Sequence, residues 1–335
     1  MNDVNDVNDV NDEARHPEAT GREILAPGSA ELRALVERRP ARMLRDVARY
    51  WSLIAFALAL AATRPALWSF AVAFVVIGNC QYALSILTHE GNHGSLFRRR
   101  SLNDAFCLWV LCAPLGVDFD GERHNHLEHH RLFATPEDPD RYLYQLADKN
   151  ARARLLLFLT GLTSLPHILA KSRRKRPISA EGRALPGPLS RGRRPTLVAQ
   201  IVIFLIFAAI LPLGAYVALW LAPLYVMAFV PHKIRMLCEH AQLVLPDAAA
   251  DGQRLLTFRP GLLERQLISP LGLSYHAEHH LFPSVPYYAL PEVARLVRGN
   301  PAVEERGSYL GFIVECLRKL PLPVNRDLPV DRGSA

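Results

Sequence analysis

Two stretches of this chain run without a single charged side chain, at residues 65–88 and 195–231. About 20 apolar residues in a helix cross a bilayer, so the first run predicts one tilted crossing. The second is too long for one straight helix. Pro212 and Gly214 near its middle predict a helical hairpin. A shorter run, residues 50–63, lies between Arg49 and Arg64 and spans if those arginines snorkel or the helix starts near Val47. The expectation is an all-α integral membrane protein with four transmembrane helices in two hairpins, at 47–64, 66–88, 196–212 and 214–232. Two further apolar runs, 105–117 and 155–170, are short or interrupted by Pro166 and His167, and suit helices lying in the interface.

Basic residues orient this arrangement. Residues 32–49 carry six arginines, and residues 171–194 carry nine basic residues against one glutamate. Only Arg64 marks the first hairpin turn, and the second turn has no charge. The positive-inside rule then places both termini in the cytoplasm. It also accounts for much of the net charge of +7, so binding to nucleic acid is not needed to explain the basic runs. Residues 1–30 open with Asn-Asp-Val repeats, have no apolar signal region, and read as a disordered tail, as do residues 321–335. The proline- and arginine-rich stretch 177–195 reads as a cytoplasmic linker, leaving residues 31–320 as the folded domain. Five cysteines without a C-x-x-C spacing read as buried thiols in a reducing compartment.

The chemistry is carried by histidine. Nine of the thirteen histidines fall in three clusters and one single: His89 and His93; His126, His129 and His130; His276, His279 and His280; and His240. The second and third clusters share the pattern H-x-E-H-H. On a helix, positions i, i+3 and i+4 lie on one face, so each cluster presents its imidazoles together. Neutral imidazole is the commonest metal-ligating side chain, and nine exceed what one metal can use. The expectation is a di-metal site in a cytoplasmic helical cap. An even number of crossings between clusters keeps them on one side. The helix of residues 66–88 would continue into the cytoplasm carrying His89 and His93, and the helix ending near Pro231 would continue to deliver His240. Glu128, Glu239 and Glu278 each precede a clustered histidine and suit hydrogen bonding to ring N–H groups, although helix-surface glutamates have the same spacing. His16, His124, His167 and His232 fall outside the pattern.

These motifs resemble those of the membrane fatty-acid desaturase and hydroxylase superfamily. Residues 87–97, containing His89-Glu90-Gly91-Asn92-His93, are similar to its first histidine box. His126-Leu-Glu-His-His130 with Thr135-Pro136-Glu137-Asp138-Pro139-Asp140 resembles the second box and its acidic, proline-containing trailer. His276-Ala-Glu-His-His280, followed by Leu281-Phe282-Pro283, resembles the third, and His240 the family's isolated ninth histidine. The resemblance implies a non-haem di-iron centre of two iron ions, O₂ as co-substrate, and a fatty acyl or other lipid substrate. Imidazole suits several metals, so iron comes from the resemblance and not from the histidine count. Desaturation of an acyl chain is the leading expectation, with lipid or carotenoid hydroxylation or ketolation as the alternative. No dinucleotide fingerprint, iron–sulfur spacing or fused haem domain is evident, so electrons would come from a ferredoxin or cytochrome-type carrier with its reductase. Two rivals differ in class. His89-Glu90-Gly91-Asn92-His93 spells the H-E-x-x-H of zinc peptidases, which would leave seven clustered histidines without a role. A metal transporter would place polar ligands inside the membrane, where these spans hold almost none.

Overall fold

The computed structural model describes residues 17–26, 28–133, 135, 137–140, 151–162, 193–240, 255–300 and 303–319. Residues 1–16, most of the basic linker at 177–195, residues 163–170 of the second interfacial run and the tail at 321–335 lie outside the described residues. Helices dominate. In chain order they are α1 (Pro17–Ile24), α2 (Ala30–Leu35), α3 (Pro40–Thr63), α4 (Leu67–Asn92), α5 (Arg100–Leu115), α6 (Phe119–Leu132), α7 (Ala151–Leu159), α8 (Arg193–Ile210) and α9 (Gly214–Glu239). After strand β1 (Leu255–Phe258) come α10 (Leu262–Leu267), α11 (His276–Leu281), α12 (Leu290–Leu296), strand β2 (Val303–Arg306) and α13 (Tyr309–Lys319).

Among the described residues, three helices, α3 (as part of Ala30–Thr63), α4 and α9, are long and apolar enough to cross a membrane. The pair α5 and α6 passes the same test only if read as one span, broken by a bend of 101°. Helix α8, expected as a crossing, is shorter, but its Leu197, Val198, Ile201 and Leu205 are exposed, as hydrocarbon contact requires. Helices α8 and α9 are separated around Pro212, where the lost backbone donor ends the first of them.

Helix α4 is the central post. Its Ala73, Ile77 and Leu84 pack in one core with Ile54, Ala57 and Ala61 of α3; alanines at a helix crossing let the backbones close in. Gly78 faces α9, where a Cβ would strike Met227 and Pro223. Helix α9 is wound with π turns at Val217–Leu221 and Leu224–Phe229 on either side of Pro223, and α5 has one at Cys107–Cys112. Irregular backbone in lipid needs polar partners. Gln81 of α4 donates to the Trp220 carbonyl (3.0 Å), and Gln200 of α8 donates to the Pro114 carbonyl (2.7 Å).

Two features depart from the sequence reading. The chain is not wholly helical: β1 and β2 pair in parallel, Leu255 opposite Val303 and Phe258 opposite Arg306. All four residues of β1 are buried, so this small sheet is a floor for the histidine-bearing helix α11. Residues 17–30 are also more than a tail. Ile24 and Leu25 of the α1 region join Leu281, Phe282 and Val285 in an apolar cluster, and Gly21 lies so close to the Leu281 carbonyl that no side chain fits between. The polar repeat preceding α1 masks this apolar face in the sequence.

Candidate metal centre

Each histidine cluster sits where a helix ends or turns. Helix α4 stays helical through Asn92, carrying His89, and His93 forms its C-cap. Helix α6 carries His126, His129 and His130; α11 carries His276, His279 and His280; His240 caps the C-terminus of α9. The four elements converge, and all nine rings meet. His89, His93, His126, His130 and His279 each offer a ring nitrogen, and these atoms lie within 4.8 Å of one another. His129, His240 and His280 form a second such set. His276 joins it, with its Nε2 3.0 Å from that of His240. The sets touch, since the rings of His130 and His280 stack at 4.4 Å.

The spacing fits metal ligation. Two nitrogens each about 2.1 Å from one metal, at right angles, are about 3.0 Å apart. The Nε2 pairs His129–His240, His276–His240 and His279–His130 stand at 3.1, 3.0 and 3.1 Å. His280 is buried, and neither ring nitrogen has a hydrogen-bond partner among the described residues, which is costly unless a cation takes one. Burial drives the imidazolium pKa of His240, His276, His279 and His280 well below its usual value, helped by neighbouring positive groups, and that of His93 down to about 3. These five rings are therefore neutral, with lone pairs available.

The groups that hold these rings differ from the expected ones. Of the three glutamates, Glu239 alone approaches a ring: its Oε2 is 3.3 Å from His276 Nδ1, while Tyr309 donates to its Oε1 at 2.7 Å and Arg235 pairs with it. Glu128 pairs with Arg131 at the surface, three residues along the helix. Glu278 accepts from Thr257 of β1 (2.7 Å), tying α11 to the sheet. The sequence reading missed four groups. Asp138 lies 2.9 Å from His129 Nδ1, and the Met236 carbonyl 2.9 Å from His240 Nδ1. Arg123 is hydrogen-bonded to Asp104 and to the Gly91 carbonyl (2.8 Å), locking the first histidine helix to the second. Phe133 packs on the rings of His129, His240 and His280. Asp138 was visible in the acidic trailer of the second cluster; the others carry no spacing signal.

His124 is exposed on α6, away from both sets. A cleft of about 420 Å³ reaches the centre from outside, lined by Glu18, Arg22, His93, Leu127, His130, Arg131 and Pro283. Helix α1 is therefore one wall of the approach to the histidines.

The fatty acid desaturase family matches residues 65–310, a span that includes every clustered histidine. The chain belongs to that family. No curated protein matches it. With candidate membrane-spanning helices and a histidine-built metal site, it is an integral membrane protein of the desaturase and hydroxylase superfamily, an oxidoreductase group acting on lipid acyl substrates.

Proposed function

We propose that this protein is an O₂-dependent di-iron desaturase that introduces a double bond into a fatty acyl chain. The carrying observation is the division of nine buried or half-buried histidines into a set of five and a set of four, in contact. His89, His93, His126, His130 and His279 would hold one iron, and His129, His240, His276 and His280 the other. Bound iron, with O₂ and electrons, supplies the oxidising power to remove hydrogen from an unactivated methylene, which no side chain can do.

The protein's own residues orient and protect. Asp138 and the Met236 carbonyl fix the ring planes of His129 and His240. Glu239, braced by Arg235 and Tyr309, aligns His276. Phe133 excludes water from the second set. A zinc-peptidase role fits poorly. Glu90, the residue that would act as general base, is buried and accepts at Oε2 from Ser95 (2.9 Å) and the Tyr287 N–H (3.0 Å).

The chain crosses the membrane four times, α8 pairing with α9, and both termini and the histidines face the cytoplasm, where the arginine-rich stretches favour them. A ferredoxin or cytochrome-type carrier with its reductase delivers electrons from that side. Two measurements test this reading. Purified protein should hold about two irons per chain, by the ligand count above; one zinc and no iron in active protein would overturn it. Lipid profiling of a host making the chain, against His129→Ala, should show new double bonds, whereas hydroxylated or ketolated products would assign the sister reaction.

A further inference from the structure

The segment between β1 and α11 leaves the cap and runs down the side of α4. Gln266 and Asn79 exchange hydrogen bonds: Asn79 Nδ2 donates to the Gln266 carbonyl and Gln266 Nε2 to Asn79 Oδ1, each at 2.6 Å. One turn along α4, Tyr82 donates to the Ile268 carbonyl at 2.7 Å. At 1.5 Å rise per residue, Asn79 lies about 15 Å below His89 along α4 and about 18 Å from the Leu67 end. A hydrocarbon core of about 30 Å beginning at Leu67 includes that level.

The surface at this level carries large apolar side chains beside the exposed Arg265 and Gln266, and the long Arg265 stem lets its charge reach toward the interface. Leu262 and Leu263 of α10 are 78% and 72% exposed. Glu264 of α10 accepts from Ser308 Oγ and from the Tyr309 and Leu310 N–H groups, so α10 caps the N-terminus of α13. From there α13 carries Leu310 and Val314, 59% and 44% exposed, on one face, and ends in Arg318 and Lys319. Its opposite face packs on Leu155 and Phe158 of α7. The outer face thus presents Leu262, Leu263, Leu310 and Val314 and ends in the basic Arg318 and Lys319, a combination suited to acyl chains bordered by anionic headgroups.

We propose that α10 and the exposed face of α13 form a lipid-seated wedge, by which the cap that carries the third histidine cluster is embedded in the cytoplasmic leaflet. The wedge occupies the leaflet beside α4, to which Gln266 and Ile268 tie it by hydrogen bonds. It rests on the reading of α4 as a spanning helix. Its consequence is mechanical: Ser269 to Tyr275 link the wedge to His276, so the lipid-anchored segment sets the height of α11 above the bilayer.

The test uses the full chain in lipid vesicles, with an environment-sensitive fluorophore on Leu263→Cys, Leu310→Cys, Val75→Cys or Glu292→Cys. The native thiols at Cys80, Cys107, Cys112, Cys238 and Cys316 are buried. Val75 is exposed on α4 and reports whether that helix is in lipid, and Glu292 is exposed on the cap helix α12. Doxyl-labelled phospholipid should quench the labels at Leu263→Cys, Leu310→Cys and Val75→Cys, and aqueous iodide the label at Glu292→Cys. Iodide quenching at Leu263→Cys and Leu310→Cys, with lipid quenching kept at Val75→Cys, would overturn the wedge. Labels there that neither quencher reaches would overturn it too, since protein would then cover the face. Loss of lipid quenching at Val75→Cys would instead sink the spanning reading of α4. Exposed positions keep the folding risk low, and retained bound iron in each labelled variant confirms an intact centre.

Discussion

The Nε2 atoms of His129 and His240 face each other at 3.1 Å while both Nδ1 atoms are committed elsewhere. His129 Nδ1 points at the Asp138 carboxylate and His240 Nδ1 at the Met236 carbonyl. Both partners accept, so each Nδ1 carries a proton, and in the neutral form of each ring Nε2 presents the lone pair. Lone pairs aimed at each other repel unless a cation lies between them. Removing metal with a strong Fe(II) chelator should therefore lower the melting temperature, because a ligand bound only by the folded state stabilises it. Amide exchange should rise at 126–130, 236–240 and 276–280, and returning iron should reverse both changes. An unaltered melting temperature after complete metal removal would contradict this account.

Asp138 and Glu128 make a contrasting pair. Asp138 is buried against His129, whereas Glu128 engages Arg131 at the surface. Loss of such a ring-orienting carboxylate typically costs about 10–100-fold in metal affinity or activity. Asp138→Ala should fall in that range by metal titration, and Glu128→Gln should bind metal as the unaltered protein does. Equal losses in both variants would show that Asp138 has no special hold on the ring.

His240 and His124 test the set of nine from opposite sides. His240 is fully buried, with its Nε2 near those of both His129 and His276. His124 is exposed on α6. His240→Gln should lower bound iron and abolish product while the protein still inserts in the membrane, and His124→Gln should retain most activity. The reverse result would mean the ninth ligand is misassigned.

How much of this was legible in the sequence depends on the distance over which each signal acts. Charge-free runs and i, i+3, i+4 histidine spacing are local, and they gave α3, α4, α9 and the nine clustered histidines. Pairings between distant segments leave no periodic trace. The Glu239–Tyr309 bond joins residues 70 positions apart, and the Gln266–Asn79 exchange residues 187 apart. Glu128 and Glu278 misled for the same reason: adjacency to a histidine does not fix which way a helical side chain turns. The parallel pairing of β1 with β2 joins two four-residue stretches on either side of α11 and α12, too short for period-2 alternation to register.

Glu239 links the centre to the C-terminal helix, and its loss should be felt in stability as well as metal content. Arg235 is 2% exposed and Glu239 0%, so removing the carboxylate leaves a buried cation without its partner. Breaking a buried pair this way costs about 3–5 kcal/mol. Tyr309→Phe removes one hydrogen bond to a charged acceptor, about 1.5–3 kcal/mol. Thermal unfolding in lipid nanodiscs should rank Glu239→Gln below Tyr309→Phe, and both below the unaltered chain. A Glu239→Gln variant as stable as the parent would show that the pair is dispensable.

Gly21 is the point at which the N-terminal helix meets the metal centre. Its Cα lies against the Leu281 backbone, immediately after His280, and a Cβ there would collide with the Leu281 carbonyl. Backbone cannot yield as a side-chain tip can, so Gly21→Val should lift α1 away from α11. Helix α1 contributes Glu18 and Arg22 to the wall of the cleft that ends at His93 and His130. Lifting it opens that cleft to water, while Phe133 and the rest of the core stay packed. The expected result is faster loss of iron to an external chelator and new protease cleavage within residues 17–26, with the crossing helices unaffected. If Gly21→Val releases iron no faster than the unaltered protein although cleavage shows α1 detached, the helix plays no part in shielding the centre.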